Sequence, residues 1–179
     1  MTRPLSDLIP LRTTSAWPGY GSIEIIPRVY GRAHVAPLRY NATGTQYVLA
    51  DHALAGVDAV TLDGKSLPGW TWNNGFDMTG HAASFLQLSS APESGVLAAT
   101  VRGLSGNPAN IIADIYPRND LQDFRILCAN QELVLGGALD TKMTIRAALT
   151  FVLDQIGAVW SAGLPGFTVS FPPSADTPV

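Results

Sequence analysis

Three histidines, His34, His52 and His81, are the residues best suited to general base catalysis or metal binding. Asp51 directly precedes His52, but successive side chains on a strand point to opposite faces. We therefore do not expect this pair to act as a base and its orienting carboxylate. His34 and His81 lack a second ligand at a spacing typical of zinc sites. The sequence predicts that the histidines occupy turn, core or surface positions and do no chemistry.

Nucleophiles and cofactor loops are also missing from the sequence. No serine lies in a G-x-S-x-G pattern, and Cys128 is flanked by apolar residues, as is typical of a small buried side chain. The glycine-containing segments 103–108 and 135–139 have neither the Walker lysine nor the G-x-G-x-x-G spacing. The acidic residues do not follow the pattern of a calcium loop. We predict no enzyme activity, no cofactor and no metal, with a small hydrolase as the weakest alternative.

Aromatic residues give a second alternative. Trp17, Trp70, Trp72 and the tyrosines at 20, 30, 40 and 47 have the ring faces on which sugars stack. Tryptophan on a strand, however, more often belongs to a core or an interface. A carbohydrate-binding β module is therefore the runner-up to the function argued below.

The composition favours a subunit of an assembly. Charged residues are 14% and apolar residues 46% of the chain, against about 25% charged in an ordinary soluble domain. Surfaces that stay buried between partners are depleted of charge. The net charge is −3 and basic residues form no run, so direct nucleic-acid binding is not expected.

The cysteine content, the N-terminus and the longest apolar stretch indicate where the protein folds. A single cysteine is typical of a chain that folds in a reducing cytoplasm. The N-terminal residues lack an apolar run of signal-peptide length. The longest apolar stretch, residues 143–160, contains Arg146, Asp154 and Gln155, so we expect a packed helix and no membrane insertion.

Four segments follow from the pattern of turns and periodicity. Residues 1–22 are rich in proline and glycine and are predicted to form an extended N-terminal arm. Residues 23–103 alternate at period two in short runs, which predicts a mainly β domain. Asp63 and Gly64 predict a hairpin over 57–72, with the indoles of Trp70 and Trp72 on one face and N-N-G turning the chain after them.

The sequence after residue 103 predicts helices. Asn107 and Pro108 begin a short helix as cap and first residue, and residues 121–135 suit either a second short helix or a strand. Apolar residues at helical spacing predict an amphipathic helix over 141–160, followed by a last strand. We expect segment 104–171 to pack on the β domain and residues 172–179 to be a flexible tail. The fold class is α+β, mainly β: an antiparallel β-sandwich or barrel-like scaffold with these helices.

Five stretches also resemble a known family. I-P-R-V-Y-G-R-A-H-V at 26–35, Y-V-L-A-D-H-A-L at 47–54 and V-T-L-D-G at 60–64 are similar to the opening domain of tail-tip and baseplate hub proteins of long-tailed bacteriophages and gene transfer agents. G-N-P-A-N-I-I-A-D-I at 106–115 and T-I-R-A-A-L-T-F-V-L-D-Q-I-G-A-V-W at 144–160 resemble the segment that follows it in that family. The resemblance covers most of residues 24–171.

This resemblance implies a structural virion protein without enzyme activity. Such a protein is made in the cytoplasm of the bacterial host, forms a ring of symmetric copies at the tail tip, and contacts other tail proteins. We expect a trimer or, alternatively, a hexamer. Family members extend beyond the last predicted strand, so a chain ending at Val179 is expected to be a minimal or split member. The candidate interface and motif residues are Trp17, Tyr20, Arg28, Tyr30, Gly31, Asn107, Pro108 and Trp160.

Overall fold

The computed structural model describes residues 4–17, 22–117, 124, 128, 132–162 and 167–171. Within these residues the protein is mainly β, with antiparallel sheets, two helices and no closed barrel. The predicted α+β, mainly β class is therefore confirmed. The chain divides into two compact units, one formed by residues 10–105 and 136–142, and the other by 1–9, 106–135 and 143–179.

The strands and helices are short, as the frequent turn residues predict. The strands are β1 (Arg28–Tyr30), β2 (Arg32–Val35), β3 (Leu38–Arg39), β4 (Gln46–Ala50), β5 (Gly56–Leu62), β6 (Lys65–Ser66), β7 (Trp70–Phe76), β8 (Ala82–Leu88), β9 (Leu97–Arg102), β10 (Gly137–Leu139), β11 (Val159–Ala162) and β12 (Phe167–Ser170). The helices are α1 (Pro108–Ile115) and α2 (Ile145–Asp154), and a 3-10 turn spans Thr14–Ala16.

The first unit is a sandwich of two four-stranded sheets, ordered β2-β9-β5-β6 and β3-β4-β8-β7. Apolar residues alternate with exposed ones along strands such as β2, so each sheet has one apolar face. The main core joins residues of both sheets, among them Val35 and Val101 from one sheet and Leu49 and Leu86 from the other. Burial of these alternating residues is what holds the two sheets together.

The Asp63–Gly64 hairpin forms as predicted, but the next turn lies later than expected. Both turn residues have positive φ, 50° and 76°, and Leu62 pairs with Lys65. The N-N-G sequence was predicted to turn the chain, and that prediction is wrong, because β7 continues through it to Phe76. The turn occurs at 77–80, where the Asp77 carboxylate accepts backbone hydrogen bonds and so stabilises it.

The N-terminal segment differs from the expected extended arm. Residues 12–14 run antiparallel to residues 24–26, with hydrogen bonds from the Thr14 amide to the Glu24 carbonyl and from the Ile26 amide to the Arg12 carbonyl. Trp17 is buried in a second core cluster with Phe85. Residues 23–26, where the predicted β domain begins, form only the single bridge between Ile25 and Thr13. An indole that finds an apolar pocket gains more from burial than from extension into solvent.

The second unit contains both helices. Asn107 caps α1 by accepting the Ala109 amide at 3.0 Å, and Pro108 is its first residue, as predicted. Helix α2 ends at Asp154 and not at 160. Gly157, at φ 67°, allows the Ala158 amide to bond back to the Leu153 carbonyl, which closes the helix. The chain then enters β11, paired antiparallel with the predicted last strand β12.

Two sequence predictions fall mostly or wholly outside the described residues. The second short helix was placed within 121–127, where the structure describes residue 124 alone, and the tail was placed at 172–179. The alternative of a strand over 132–135 is wrong, because these residues are not in a strand. There the Leu135 amide donates to the Gly106 carbonyl.

Candidate functional site

A buried carboxylate, Asp51, lies directly after β4. Its Oδ2 accepts two hydrogen bonds from Arg28, from Nε at 3.1 Å and Nη2 at 2.9 Å. Its Oδ1 lies 2.8 Å from Nδ1 of His52. The expectation that Asp51 and His52 point apart is wrong, because both follow the end of the strand and the alternation of a strand no longer applies to them.

The Asp51–His52 pair has the arrangement in which a carboxylate orients a general base. Burial of the carboxyl raises the pKa of Asp51, but the hydrogen bond with His52 and the charge and hydrogen bonds of Arg28 outweigh it and hold the pKa below its ordinary value. Nε2 of His52 is buried and has no hydrogen-bond partner among the described residues. No described serine, threonine or cysteine is therefore positioned for activation by this histidine.

A second carboxylate, Asp77, anchors the N-terminal segment. Arg12 forms an ion pair with Asp77 through Nη2, and its Nη1 donates to the Asp51 carbonyl at 3.1 Å and the Ala82 carbonyl at 2.7 Å. Oδ1 of Asp77 accepts from the backbone amide and hydroxyl of Thr79, at 2.9 and 2.6 Å, and from the His81 amide at 3.0 Å. Burial raises the pKa of Asp77, and these bonds together with the Arg12 charge lower it further than burial raises it.

These contacts form one network, which we call the two-arginine network: Arg12, Arg28, Asp51, His52 and Asp77. Two arginine cations face two buried carboxylates, so the charges balance without leaving a free cationic or anionic site. Its members come from the N-terminal segment, β1, the end of β4 and the turn after β7. The network therefore stabilises the sandwich by joining segments that are distant in sequence.

A separate ion-pair cluster lies on the exposed face of the β2-β9-β5-β6 sheet. Asp58 accepts a hydrogen bond from Arg32 Nε at 3.0 Å and one from Arg102 Nε at 2.9 Å. The Arg32 hydrogen bond is the main cause that lowers the pKa of Asp58. Beside the cluster, Nδ1 of His34 lies 3.0 Å from the Thr100 hydroxyl. Exposed ion pairs of this kind contribute little to stability.

Metal binding has no support in the described part of the chain. His34, His52 and His81 each bond to a different neighbour: Thr100, Asp51 and Thr79. Within the residues that the structure describes, no three histidine, cysteine or acidic side chains converge on a common point. Cys128 is buried, and burial raises the pKa of its thiol, which disfavours the reactive thiolate.

A cleft of about 480 Å³ lies beside the paired segments 12–14 and 24–26. Ile23, Ile25, Pro27, Ala36 and Leu38 form its apolar walls, and Thr13, Glu24, Asp140 and Lys142 are its polar lining. Among the described residues the lining has no histidine, serine or cysteine. Its groups that could act as general bases are the carboxylates of Glu24 and Asp140 and the amine of Lys142.

Four of the predicted interface residues lie in the sandwich unit, mostly in its interior. Trp17 packs edge to face on Tyr40, with ring centroids 5.0 Å apart, and Tyr30 is also buried. Arg28 belongs to the two-arginine network, and Gly31, at φ 54°, separates β1 from β2. Internal contacts therefore account for these residues, while Tyr20 lies outside the described residues.

Three further predicted residues lie in the helical unit. Asn107 and Pro108 begin α1, and Trp160 is half-buried on β11. The Arg146 guanidinium lies 5.8 Å from the centre of a Trp160 ring, a cation–π distance. These residues are not brought together with Trp17, Arg28, Tyr30 and Gly31 in one compact unit.

Sequence reasoning missed the residues that the structure makes most prominent. Arg12 and Asp77 were not singled out, and Asp51 was considered only as the neighbour of His52 in the sequence. A possible signal was Asp77 in the sequence D-M-T-G-H, since an aspartate two residues before a threonine is typical of a side-chain-stabilised turn. No local signal pairs Arg12 with Asp77, 65 positions away.

The surface carries large apolar side chains that have no cover in the described structure. The exposed ones are Leu8, Ile23, Phe76, Met78, Val96, Leu104, Val134, Phe151 and Val159. Singly exposed apolar residues are normal in soluble proteins, and charged residues are 14% of this chain.

The chain matches no known protein family, no curated protein and no solved structure. Among the described residues, no helix has both the length and the apolar character needed to cross a membrane. Function is therefore inferred from the residues and surfaces described above together with the sequence resemblance.

Proposed function

We propose that this chain is a structural virion protein of a bacteriophage tail tip or baseplate. It acts as a hub-type subunit, through symmetric assembly of its own copies and by linking the tail tube to distal tip proteins. It is made in the bacterial host and ends in the virion. It carries out no catalysis, takes no cofactor, and binds neither nucleic acid nor the interior of a membrane.

The resemblance of residues 24–171 to hub proteins suggests the class, and the exposed surface is the observation that carries the proposal. Phe76 is 75% exposed and Ile23 73% exposed on a chain with 14% charged residues. Exposed apolar area on a weakly charged surface gains free energy when another protein covers it. A ring subunit has this requirement on at least two sides, because each copy contacts two neighbours.

The two-arginine network supports the same reading. Its ionisable groups bond to one another inside the sandwich, so they act on stability and not on a substrate. The buried Nε2 of His52 lacks a nucleophile, which weighs against a hydrolase. A rigid scaffold with its polar groups turned inward suits a protein whose role is to hold neighbours in position.

The sugar-binding alternative requires exposed aromatic faces. Trp17 is buried, and Trp70 and Trp72 pack against the main core from β7. Both indoles of β7 lie on one face, as the sequence predicted, but that face is the inner one. These three tryptophans therefore do not offer the stacking platform that a carbohydrate module needs.

The proposal is tested first by the native mass of the purified chain. Native mass spectrometry is expected to give three or six copies. Immunogold electron microscopy of tailed particles, with an antibody against the chain, is expected to label the tail tip. A chain that stays monomeric at high concentration and is absent from purified particles would overturn the proposal.

A further inference from the structure

Strand β7 has an open edge. It pairs with β8 from Trp70↔Leu88 to Phe76↔Ala82 without a register shift, and in the described part of the chain no strand pairs with its other side. Hydrogen bonds from the Ser89 amide to the Gly69 carbonyl and from the Asp77 amide to the His81 carbonyl flank this register.

The register decides which backbone groups are free. In an antiparallel pair, every second residue exchanges its hydrogen bonds with the neighbouring strand. Because positions 69 and 77 bond toward β8, the odd-numbered residues between them do so as well. The amide and carbonyl groups of the even-numbered residues therefore point to the open edge, where the Asn74 carbonyl also accepts a long hydrogen bond, 3.4 Å, from the Asn73 side chain. These residues are Trp70, Trp72, Asn74 and Phe76.

Edge strands normally carry features that prevent pairing with another chain, such as short length, charge, proline or a bulge. The other edges of the sandwich have them. Strands β3 and β6 have two residues each and include Arg39 and Lys65, and β2 includes Arg32. Strand β7 has seven residues, no charge, no proline and no bulge. It is the edge of the sandwich best suited to accept a strand.

We propose that β7 pairs antiparallel with β7 of a second copy of this chain, about a two-fold axis at Asn73. In this register Trp70 lies opposite Phe76 of the second copy, and Trp72 lies opposite Asn74. These are the residues whose backbone groups face the open edge, so each opposed pair exchanges two hydrogen bonds. The β3-β4-β8-β7 sheet of one copy and the same sheet of the second copy become one continuous sheet.

Side chains also favour the second copy as the occupant. The uncharged sequence W-T-W-N-N-G-F brings no like charges together when it pairs with itself. Phe76, 75% exposed, comes directly opposite a half-buried Trp70 and on the same face, as an aromatic cross-strand pair. Two asparagines meet at the axis, where the side chain of Asn73 is exposed.

This inference rests on the geometry of the edge and not on the proposed function. A two-fold contact has the same surface on both copies, whereas a ring is closed by contacts between different surfaces. An assembly that contains both kinds of contact has an even number of copies. Of the trimer and hexamer considered above, the pairing is compatible with the hexamer.

Cysteine cross-linking tests the register. In the proposed dimer the two Asn73 residues form a non-hydrogen-bonded pair, with Cα atoms about 4.5 Å apart, which suits a disulfide. Asn73→Cys is expected to cross-link under mild oxidation at least tenfold faster than Thr71→Cys, whose position faces Gly75 of the second copy. Cys128 is present in both variants and is buried. Equal rates, or no cross-linking by Asn73→Cys, would overturn the pairing.

A charge at the axis gives an independent readout. Asn73→Lys places two cations opposite each other and is expected to halve the native mass by light scattering, while Asn73→Ser leaves it unchanged. Circular dichroism checks that both variants fold. A trimer or hexamer that Asn73→Lys does not alter overturns the β7 pairing and leaves the proposed function standing. A wild-type monomer at high concentration overturns both.

Discussion

Arg28 donates two hydrogen bonds to a single carboxylate oxygen of Asp51, from Nε at 3.1 Å and from Nη2 at 2.9 Å. The Asp51 side chain is 1% exposed, so almost all of its hydration is replaced by this arginine and by His52. A buried carboxylate is tolerated when its oxygens accept charged hydrogen bonds. Strand β1 is therefore joined to the end of β4 by an ion pair.

Asp51→Asn is expected to destabilise the sandwich by about 2–3 kcal/mol, because it removes the charge that Arg28 and His52 face. Urea denaturation followed by tryptophan fluorescence measures the change. Asp58→Asn is the matched control, since Asp58 also bonds two arginines but on the exposed face. A loss for Asp58→Asn equal to that for Asp51→Asn would contradict this account.

Acid is expected to weaken the same network. Asp51 and Asp77 have folded pKa values below the ordinary 3.8, because bonds to His52, Arg28, Thr79, His81 and Arg12 outweigh burial. The unfolded chain therefore binds protons more readily than the folded chain. The stabilisation that the two ionised carboxylates give the folded state is complete above pH 3.8, and it is lost as the pH falls through their lower pKa values in the folded state.

Unfolding free energies between about pH 6 and pH 2 measure this effect. Wild type should lose stability at the acid end, and Asp51→Asn should show a smaller loss because one of the two carboxyls is gone. Ile23→Ala, an exposed substitution that removes no carboxyl, is the control and should follow wild type. Identical pH profiles for wild type and Asp51→Asn would contradict the assignment.

Trp17→Ala is expected to cost about 3–5 kcal/mol, because the indole is buried against Tyr40 beside Phe85. Ile23→Ala is the control, because Ile23 is 73% exposed, and its cost should stay under about 0.5 kcal/mol. An extended arm over residues 1–22, as predicted from the sequence, would contribute little to folding. The burial of Trp17 predicts instead that the part of this segment near Trp17 contributes to folding, and thermal melts of the two variants measure that contribution.

Local sequence patterns predicted most strands and helices. The features that they did not predict depend on contacts between residues distant in sequence. Period-two runs gave β4, β5, β8 and β9, and Asn107–Pro108 gave the start of α1, because these signals act within a few residues. The burial of Trp17 and the pairing of Arg12 with Asp77 depend on chain segments tens of residues away. Proline and glycine near Trp17 suggested an extended arm, and only the packed structure shows where its indole lies.

The candidate site was less predictable than the fold for the same reason. Adjacent Asp51 and His52 were expected to point apart because β4 was assumed to include them, but β4 ends at Ala50. An error of one or two residues at the end of a strand reverses which side chains meet. The end of α2 shows a similar limit, because apolar spacing continues to Trp160 although Gly157 closes the helix.

Leu149→Ala should destabilise the helical unit by about 2–5 kcal/mol, because Leu149 is fully buried on α2. Phe151→Ala removes a larger apolar side chain from the same helix, but Phe151 is 59% exposed, so its cost should stay under about 1 kcal/mol. Chemical denaturation of both variants measures the difference. Similar losses at both positions would show that the buried face of α2 is assigned wrongly.

The histidines provide the last prediction. His34→Gln and His81→Gln should leave both stability and assembly close to wild type, because each histidine makes a single side-chain bond at an exposed position. His52→Gln should lower stability measurably, since His52 bonds the buried Asp51, yet the native mass of the assembly should not change. The reason is that a structural histidine affects folding, whereas a catalytic or metal-binding histidine affects function first. Elemental analysis of the purified protein tests this. A stoichiometric metal that is lost, together with assembly, in the variant combining all three substitutions would contradict the prediction and favour the enzyme alternative.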